Sequence, residues 1–242
     1  MKTKERHELK ENDFARTAAT VVGAVKEHQR PVALIASVAI VLAIVVGIWM
    51  FMRTHKANEA GALLGIANAI AQAPVTPAPT LPGSTQTPGT YPTINARAEA
   101  SLPKFATVYN AYPSASAGIA ARYYTASALA MLGRGAEAAT RYQEVVDRAG
   151  TRNFYGRMAQ LGKIEAQLQA KQFDQAISSA QALANNTSDQ SLPRDAVLME
   201  LGRVYTAAGK PTEAKQTFDK VVADFPDSPY AAEAKQLLST AT

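Results

Sequence analysis

The stretch VALIASVAIVLAIVVGIWMFM, Val32 to Met52, constrains the chain more than any other: twenty-one residues without a charge, interrupted only by Ser37 and Gly47. At about 1.5 Å of rise per residue a helix of this length spans about 31 Å, close to the hydrocarbon thickness of a bilayer. Arg30 and Pro31 precede it, Arg53, His55 and Lys56 follow, and Trp49 stands where interfacial aromatics collect. A membrane-spanning helix over 32–52 is expected. Some thirty polar residues come first, the apolar run exceeds a signal-peptide core, and no small-residue cleavage site follows at once, so a retained anchor is the better reading than a cleaved leader.

Charge sets the expected orientation. Residues 1–30 hold seven Lys and Arg, whereas 53–95 hold only Arg53 and Lys56. The positive-inside bias places the tail, 1–31, in the cytoplasm and the remainder across the membrane. Within the tail, Phe14, Ala18, Val21, Val22 and Val25 return at helical spacing, which predicts a short amphipathic helix over 14–26. The formal charge of +5 divides between tail and remainder without a basic stripe, so nucleic acid is not an expected partner.

The chemistry of catalysis is missing. There is no cysteine, and His7, His28 and His55 never share a cluster, so neither a metal site nor acid–base catalysis is indicated. No phosphate-binding loop, dinucleotide fingerprint or nucleophile elbow occurs. The chain reads as a non-enzyme, with no catalytic residue, cofactor, metal or small-molecule substrate.

After the anchor, Ala60, Leu63, Leu64, Ala67 and Ile70 mark one face of a helix over 57–72, continuing the membrane helix with little break; 53–72 is assigned to the first helix of the soluble part. The segment 73–93, with six prolines and no charge, reads as a flexible loop or semi-rigid spacer. From 94 to 242 Ala-rich segments of helical period alternate with short breaks, and no strand pattern appears. The fold class is all-α.

That region repeats. GKPTEAKQTFDKVVADFP (209–226) aligns with GRGAEAATRYQEVVDRAG (133–150), and Ala176 in KQFDQAISSAQALA stands midway between Ala138 and Ala214, at steps of thirty-eight residues. Phe105, Val108 and Pro113 repeat the later half once more, with Ser101 in the alanine's place. A glycine lets the first helix of each unit end in a left-handed cap, and the small alanine lets the second helix approach closely. Leu198, Leu201, Gly202, Tyr205, Ala214, Phe218 and Pro226 resemble the tetratricopeptide repeat (TPR) pattern, with Val221 replacing its second alanine. The expected array is a TPR-like α-solenoid of four hairpins, 57–72 with 94–112, 114–149, 151–186 and 192–225, capped by a helix from Pro229 to Ala241. Pro103 is expected to bend or start the helix that contains it.

A charged tail, one anchor, a helix running on from it and a divergent TPR array closing in DFPDSPYAAEAKQLL (224–238) resemble the single-pass ancillary subunits of the bacterial SecYEG translocon. The resemblance implies an inner-membrane protein with a cytoplasmic N-terminus and a periplasmic array, whose partners are the translocon and membrane-anchored periplasmic chaperones. The loop at 73–93 looks like an insertion in that pattern. A general envelope scaffold serving cell division or outer-membrane assembly, and a cytoplasm-facing TPR receptor, are the alternatives. Such an array binds protein segments on the concave face lined by its first helices. Register alone, extrapolated from the last unit, places Met199 and Arg203, then Leu161 and Glu165, then Tyr123 and Ser127 on that face.

Overall fold

The computed structural model describes residues 29–79, 85–186 and 192–240. The tail before residue 29, with the amphipathic helix expected at 14–26, lies outside them. The chain divides into two compact units between His55 and Lys56.

In the first unit the described residues belong to helix α1, Gln29–Ala71, which also supplies the first turns of the second unit. Pro31 stands in its opening turn, where a missing N–H breaks no helical hydrogen bond. Ser37–Ala71 is long and apolar enough to cross a membrane, with a mean hydropathy of 2.1 over its most apolar stretch and none of that stretch buried. Leu34 and the large apolar side chains from Val38 to Met52 are 50 to 72 % exposed, so protein does not cover them as it would a soluble core helix. At the polar end of the run, the Arg53 guanidinium lies 5.3 Å from the centre of the Trp49 ring, one helical turn back. Anchor and following helix are thus one uninterrupted helix.

The second unit is helical throughout its described residues except for its loops. After α1 come α2 (Ile94–Ala111), α3 (Ser116–Met131), α4 (Gly135–Ala149), α5 (Phe154–Gln169), α6 (Phe173–Asn185), α7 (Arg194–Ala207), α8 (Pro211–Asp224) and α9 (Pro229–Thr240). They pair as antiparallel hairpins: α1 with α2, α3 with α4, α5 with α6, α7 with α8, and α9 closing on α8. Ala60 and Ala67 are fully buried and Leu63, Leu64 and Ala71 half-buried, on the face that periodicity marks.

The repeat period governs local geometry as well as composition. Gly133, Lys171 and Gly209 all have positive φ, 76°, 56° and 69°, and stand thirty-eight residues apart. Each begins the same double closure: Gly133 donates to Ala130 and Arg134 to Leu129, Lys171 to Leu168 and Gln172 to Gln167, Gly209 to Thr206 and Lys210 to Tyr205. These bonds satisfy carbonyls at the end of each first helix and turn the chain into the second. Lys171 does so with a Cβ in a left-handed conformation, which costs about 1 kcal/mol. Lys171→Gly is therefore expected to raise stability by about 1 kcal/mol or somewhat less, read as a higher midpoint in thermal unfolding followed by circular dichroism.

Ala138, Ala176 and Ala214 are at most 4 % exposed, at the point where each second helix crosses its partner. Aromatic residues fill what the small residues leave. A Cβ at Gly202 would run into the Phe218 ring, and one at Gly162 would lie 2.6 Å from Tyr142 Cζ. The core follows this sequence of contacts in three clusters, centred on Phe105 and Val108, on Tyr142 and Val145, and on Phe218 and Val221.

One expectation needs correction. Pro103 does not start its helix: it lies inside α2, exposed, where its missing N–H leaves the Glu99 carbonyl without its usual donor. In the segment 73–93 the described residues are tied to one another by hydrogen bonds. Thr76 N–H donates to Tyr91 O at 2.9 Å, Tyr91 N–H to Pro74 O at 3.0 Å, and the Gln86 amide to the Thr76 and Thr90 hydroxyls at 2.8 and 2.7 Å. Arg97 Nη1 reaches back from α2 to Ala73 O at 3.0 Å and fixes the loop's first residue.

Candidate functional site: the face of the first helices

The first helices α3, α5 and α7 carry all six residues that register places inward. On α3, Tyr123 is half-buried in a set of aromatic rings, with centroids 5.7 Å from Tyr124, 5.6 Å from Tyr142 and 5.4 Å from Tyr155. Phe105 continues the set at 5.6 Å from Tyr124, and Phe154, 58 % exposed, ends it at 5.4 Å from Tyr155. The edge-on and tilted arrangements suit ring quadrupoles and join α2, α3, α4 and α5.

Tyr142 and Tyr155 stay protonated well beyond neutral pH. Burial, then the neighbouring Tyr123, pushes Tyr142 up to about 12, with a hydrogen bond from Ser127 pulling the other way and Glu165 adding to the rise. The hydrogen bond to Tyr124 pushes Tyr155 up to about 12, with burial adding to it. They offer a partner neutral rings with polar tips, not anions.

Beyond the tyrosines the row turns acidic. Burial, then Glu165, raises Glu200 above its ordinary 4.5, against the pull of Arg203. Arg203 is exposed, 2.7 Å from Glu233 of α9 and 3.7 Å from Glu200. Ser127, Tyr142, Glu165, Glu200, Arg203 and Glu233 thus follow one another across five helices. Because Glu200 holds its proton more tightly folded than unfolded, its contribution to stability is greatest below pH 4.5 and falls as pH rises through the folded value. Glu200→Gln is expected to remove that fall: wild type and variant should melt alike near about pH 4, and the variant higher at about pH 7.

The structure brings Tyr123, Ser127, Glu165 and Arg203 onto this connected row and leaves Leu161 half-buried on the same helix as Glu165. Met199 departs from the expectation. It is 1 % exposed and belongs to the core around Phe218, so it presents nothing to a partner. Register predicts which helix faces inward but not how closely the neighbouring hairpin covers it.

Between the end of α1, α2 and α3 lies a cleft of about 190 Å³. Phe105, Tyr124 and Met131 give it apolar walls, and Asn68, Arg97 and Ser127 supply polar groups. It adjoins the aromatic set through Tyr124 and gives Ser127 a second exposure to the surroundings.

One constellation escaped the sequence reading. Arg122, 6 % exposed, lies with its guanidinium 4.5 Å from the centre of the Tyr109 ring and donates to Glu144 Oε2 at 2.8 Å. Arg141 donates to the other oxygen of Glu144 at 2.8 Å and lies 6.0 Å from the same ring. Glu144 therefore accepts from two guanidiniums, balancing one of their two charges, and ties α3 to α4, with Tyr109 of α2 against both. Sequence spacing holds no signal for the Arg122–Glu144 pair, which links two helices across a turn. Among the described residues no group of three or more His, Cys, Asp or Glu is placed to hold a metal ion.

Comparison with known proteins agrees with this architecture. The tetratricopeptide repeat family model matches residues 167–238. Among solved structures, the nearly identical TPR-like repeats of a Podosopora anserina protein described as a kinesin light chain superpose with a TM-score of 0.55 at 16 % identity, over 76 % of this chain and 86 % of that one. A single-substitution variant of the same repeats gives 0.55 at 16 %, over 77 % and 86 %. At these identities the likeness establishes the fold: a TPR-like, all-helical array. No curated protein sequence matches the chain.

Proposed function

We propose that this chain is a membrane-tethered, protein-binding TPR-like adaptor, and that it serves as an ancillary subunit of the bacterial SecYEG translocon, holding periplasmic chaperones near emerging chains. The observation that carries the tethering is helix α1: one helix bears both an exposed apolar stretch of membrane-crossing length and, at Ala60 and Ala67, buried residues of the array. The excess of Lys and Arg before the stretch supports a cytoplasmic N-terminus and a periplasmic array.

Binding through the face of α3, α5 and α7 explains why that face combines neutral aromatic rings with charged groups in pairs, the composition of interfaces that must discriminate partners. Tethering adds effective concentration, so each contact need only be of modest affinity. No step of this reading calls for a catalytic group, a cofactor or nucleic acid.

Purification of the full chain in mild detergent tests the assignment. SecYEG and at least one membrane-anchored chaperone are expected to accompany it. Recovery of cell-division or outer-membrane assembly components without SecYEG would transfer the chain to the general scaffold reading.

A further inference from the structure

Charge is distributed unevenly between the two ends of the second unit. Because its helices alternate in direction, the turns within hairpins, before α4, α6 and α8, lie at one end, and the turns between hairpins, before α3, α5, α7 and α9, lie at the other. At the first end each cation is followed three residues later by a carboxylate: Arg134 by Glu137, Lys171 by Asp174 and Lys210 by Glu213. At the second end the α4–α5 turn breaks that balance. Arg148, Arg152 and Arg157 lie in it or within one helical turn of it, no Asp or Glu occurs between Asp147 and Glu165, and the preceding helix α3 carries no acid.

None of the three arginines forms an ion pair among the described residues, and Arg148 and Arg152 are exposed. Arg157 Nη1 donates to Arg152 O at 2.8 Å, which braces the turn without using a carboxylate. Asp147, next to Arg148, accepts from Gln143 and acts on Lys163, whose charge answers its own. Beside the arginines stands the exposed ring of Phe154. An aromatic ring at the surface among unpaired guanidiniums suits a layer with phosphates outside and hydrocarbon beneath: guanidinium pairs with phosphate oxygens in a fork, and the ring enters the headgroup region.

The path of the chain brings such a layer within reach. Lys56, the first residue of the second unit, is the fourth residue after Met52 on the same helix. The α2–α3 turn lies at the end of the unit where α1 enters, since Tyr112 Oη donates to Glu59 at 2.9 Å, and the alternation of helices puts the α4–α5 turn at that end too. Two to three helix spacings, about 20 to 30 Å, separate it from α1. The α8–α9 turn, farther along the array at the same end, carries Asp224 and Asp227 instead, so the basic turn is the one nearer the anchor in the order of hairpins. We propose that the α4–α5 turn is a membrane-contact site, in which Arg148, Arg152 and Arg157 pair with anionic lipid headgroups of the bilayer that α1 crosses and Phe154 enters the headgroup layer. The inference rests on the tethering reading of α1 and is independent of the translocon assignment.

The test uses the full chain in nanodiscs of phosphatidylcholine, alone or with phosphatidylglycerol in equal parts. Since the chain has no cysteine, Thr151→Cys in the turn, or Gln175→Cys at the opposite end, carries a single environment-sensitive fluorophore. In the anionic discs the label at 151 should shift to the blue and resist aqueous dithionite, and raised salt should abolish both effects. The label at 175 should respond to neither lipid. Each arginine near an anionic surface is worth about a five-fold gain in association, so Arg148→Gln with Arg152→Gln should lower the ratio of lipid-bound to free label about twenty-fold, while lysine at both positions keeps most of it. Both side chains are exposed, so these variants should melt with wild type. The same emission at 151 in both lipids, an equal response at 175, or a shift indifferent to the arginines would overturn the proposal. So would a shift that appears only when a protein partner is added, which would assign the turn to protein. Alkaline carbonate extraction from vesicles tests the premise separately: a chain that is released overturns the tether and this contact with it, whereas a chain that is retained without a shift at 151 overturns the contact alone.

Discussion

Truncation of Phe218 to alanine is expected to destabilise the second unit by about 4 kcal/mol, in the range for emptying a well-packed aromatic site. Phe218 is 4 % exposed and its ring occupies the space left by Gly202 on α7, in the same cluster as Leu198, Leu201, Val204 and Val221. Because each hairpin is stabilised mainly by its neighbours, the loss should be largest in α7, α8 and α9 and smaller toward α2. Hydrogen exchange would show it as faster amide exchange in those three helices, and thermal unfolding as a lower midpoint. A change below about 1 kcal/mol would mean that the last hairpin is not packed around this ring.

Glu144→Leu should cost about 3 kcal/mol by a different mechanism. The substitution leaves the Arg122 guanidinium buried against Tyr109 without its carboxylate partner, and an uncompensated charge is far more costly to bury than the pair is worth. Arg141, being half-buried, can turn toward solvent and loses less. The double variant Arg122→Met with Glu144→Leu removes the stranded charge and should recover most of the stability. A double variant as unstable as Glu144→Leu alone would show that the guanidinium contributes through packing on Tyr109, not through its charge. Comparing the melting temperatures of wild type and the two variants separates these cases.

These two sites mark the boundary of what the amino-acid order reveals. The place of Phe218 could be read in advance because it recurs with the period: Tyr142 stands two periods earlier, and the alanine four residues before each is buried at 138 and at 214. The helix ends were legible for the same reason, since Gly133 and Gly209 adopt the left-handed geometry that glycine favours. Lys171 keeps that geometry without the glycine, because the hydrogen bonds of the turn outweigh the strain of one Cβ. Burial of Ala60, Ala67 and Ala176 likewise follows from patterns of about 3.6 residues, and exposure of the apolar stretch from its unbroken length.

Pairings between helices were not legible. Arg122 and Glu144 are twenty-two residues apart, and which rotation brings them together depends on how α3 and α4 pack. Met199 shows the same limit from the other side. Its position in the last unit corresponds to that of Leu161, yet the core closes over the methionine and leaves the leucine half exposed, because coverage depends on the neighbouring hairpin rather than on the helix itself. Pro103 lies on an exposed side of α2, and that facing is set by how the helix packs rather than by the proline.

The most direct test of a tethered array that works through the face of its first helices is site-specific photocrosslinking in cells producing the full chain. A photoreactive residue is placed at Glu165, exposed on α5, or at Asp219, exposed on α8. Adducts with a SecYEG subunit or an envelope chaperone at position 165, and none at 219, are the predicted result. Adducts with those partners at 219 and none at 165 would contradict the account.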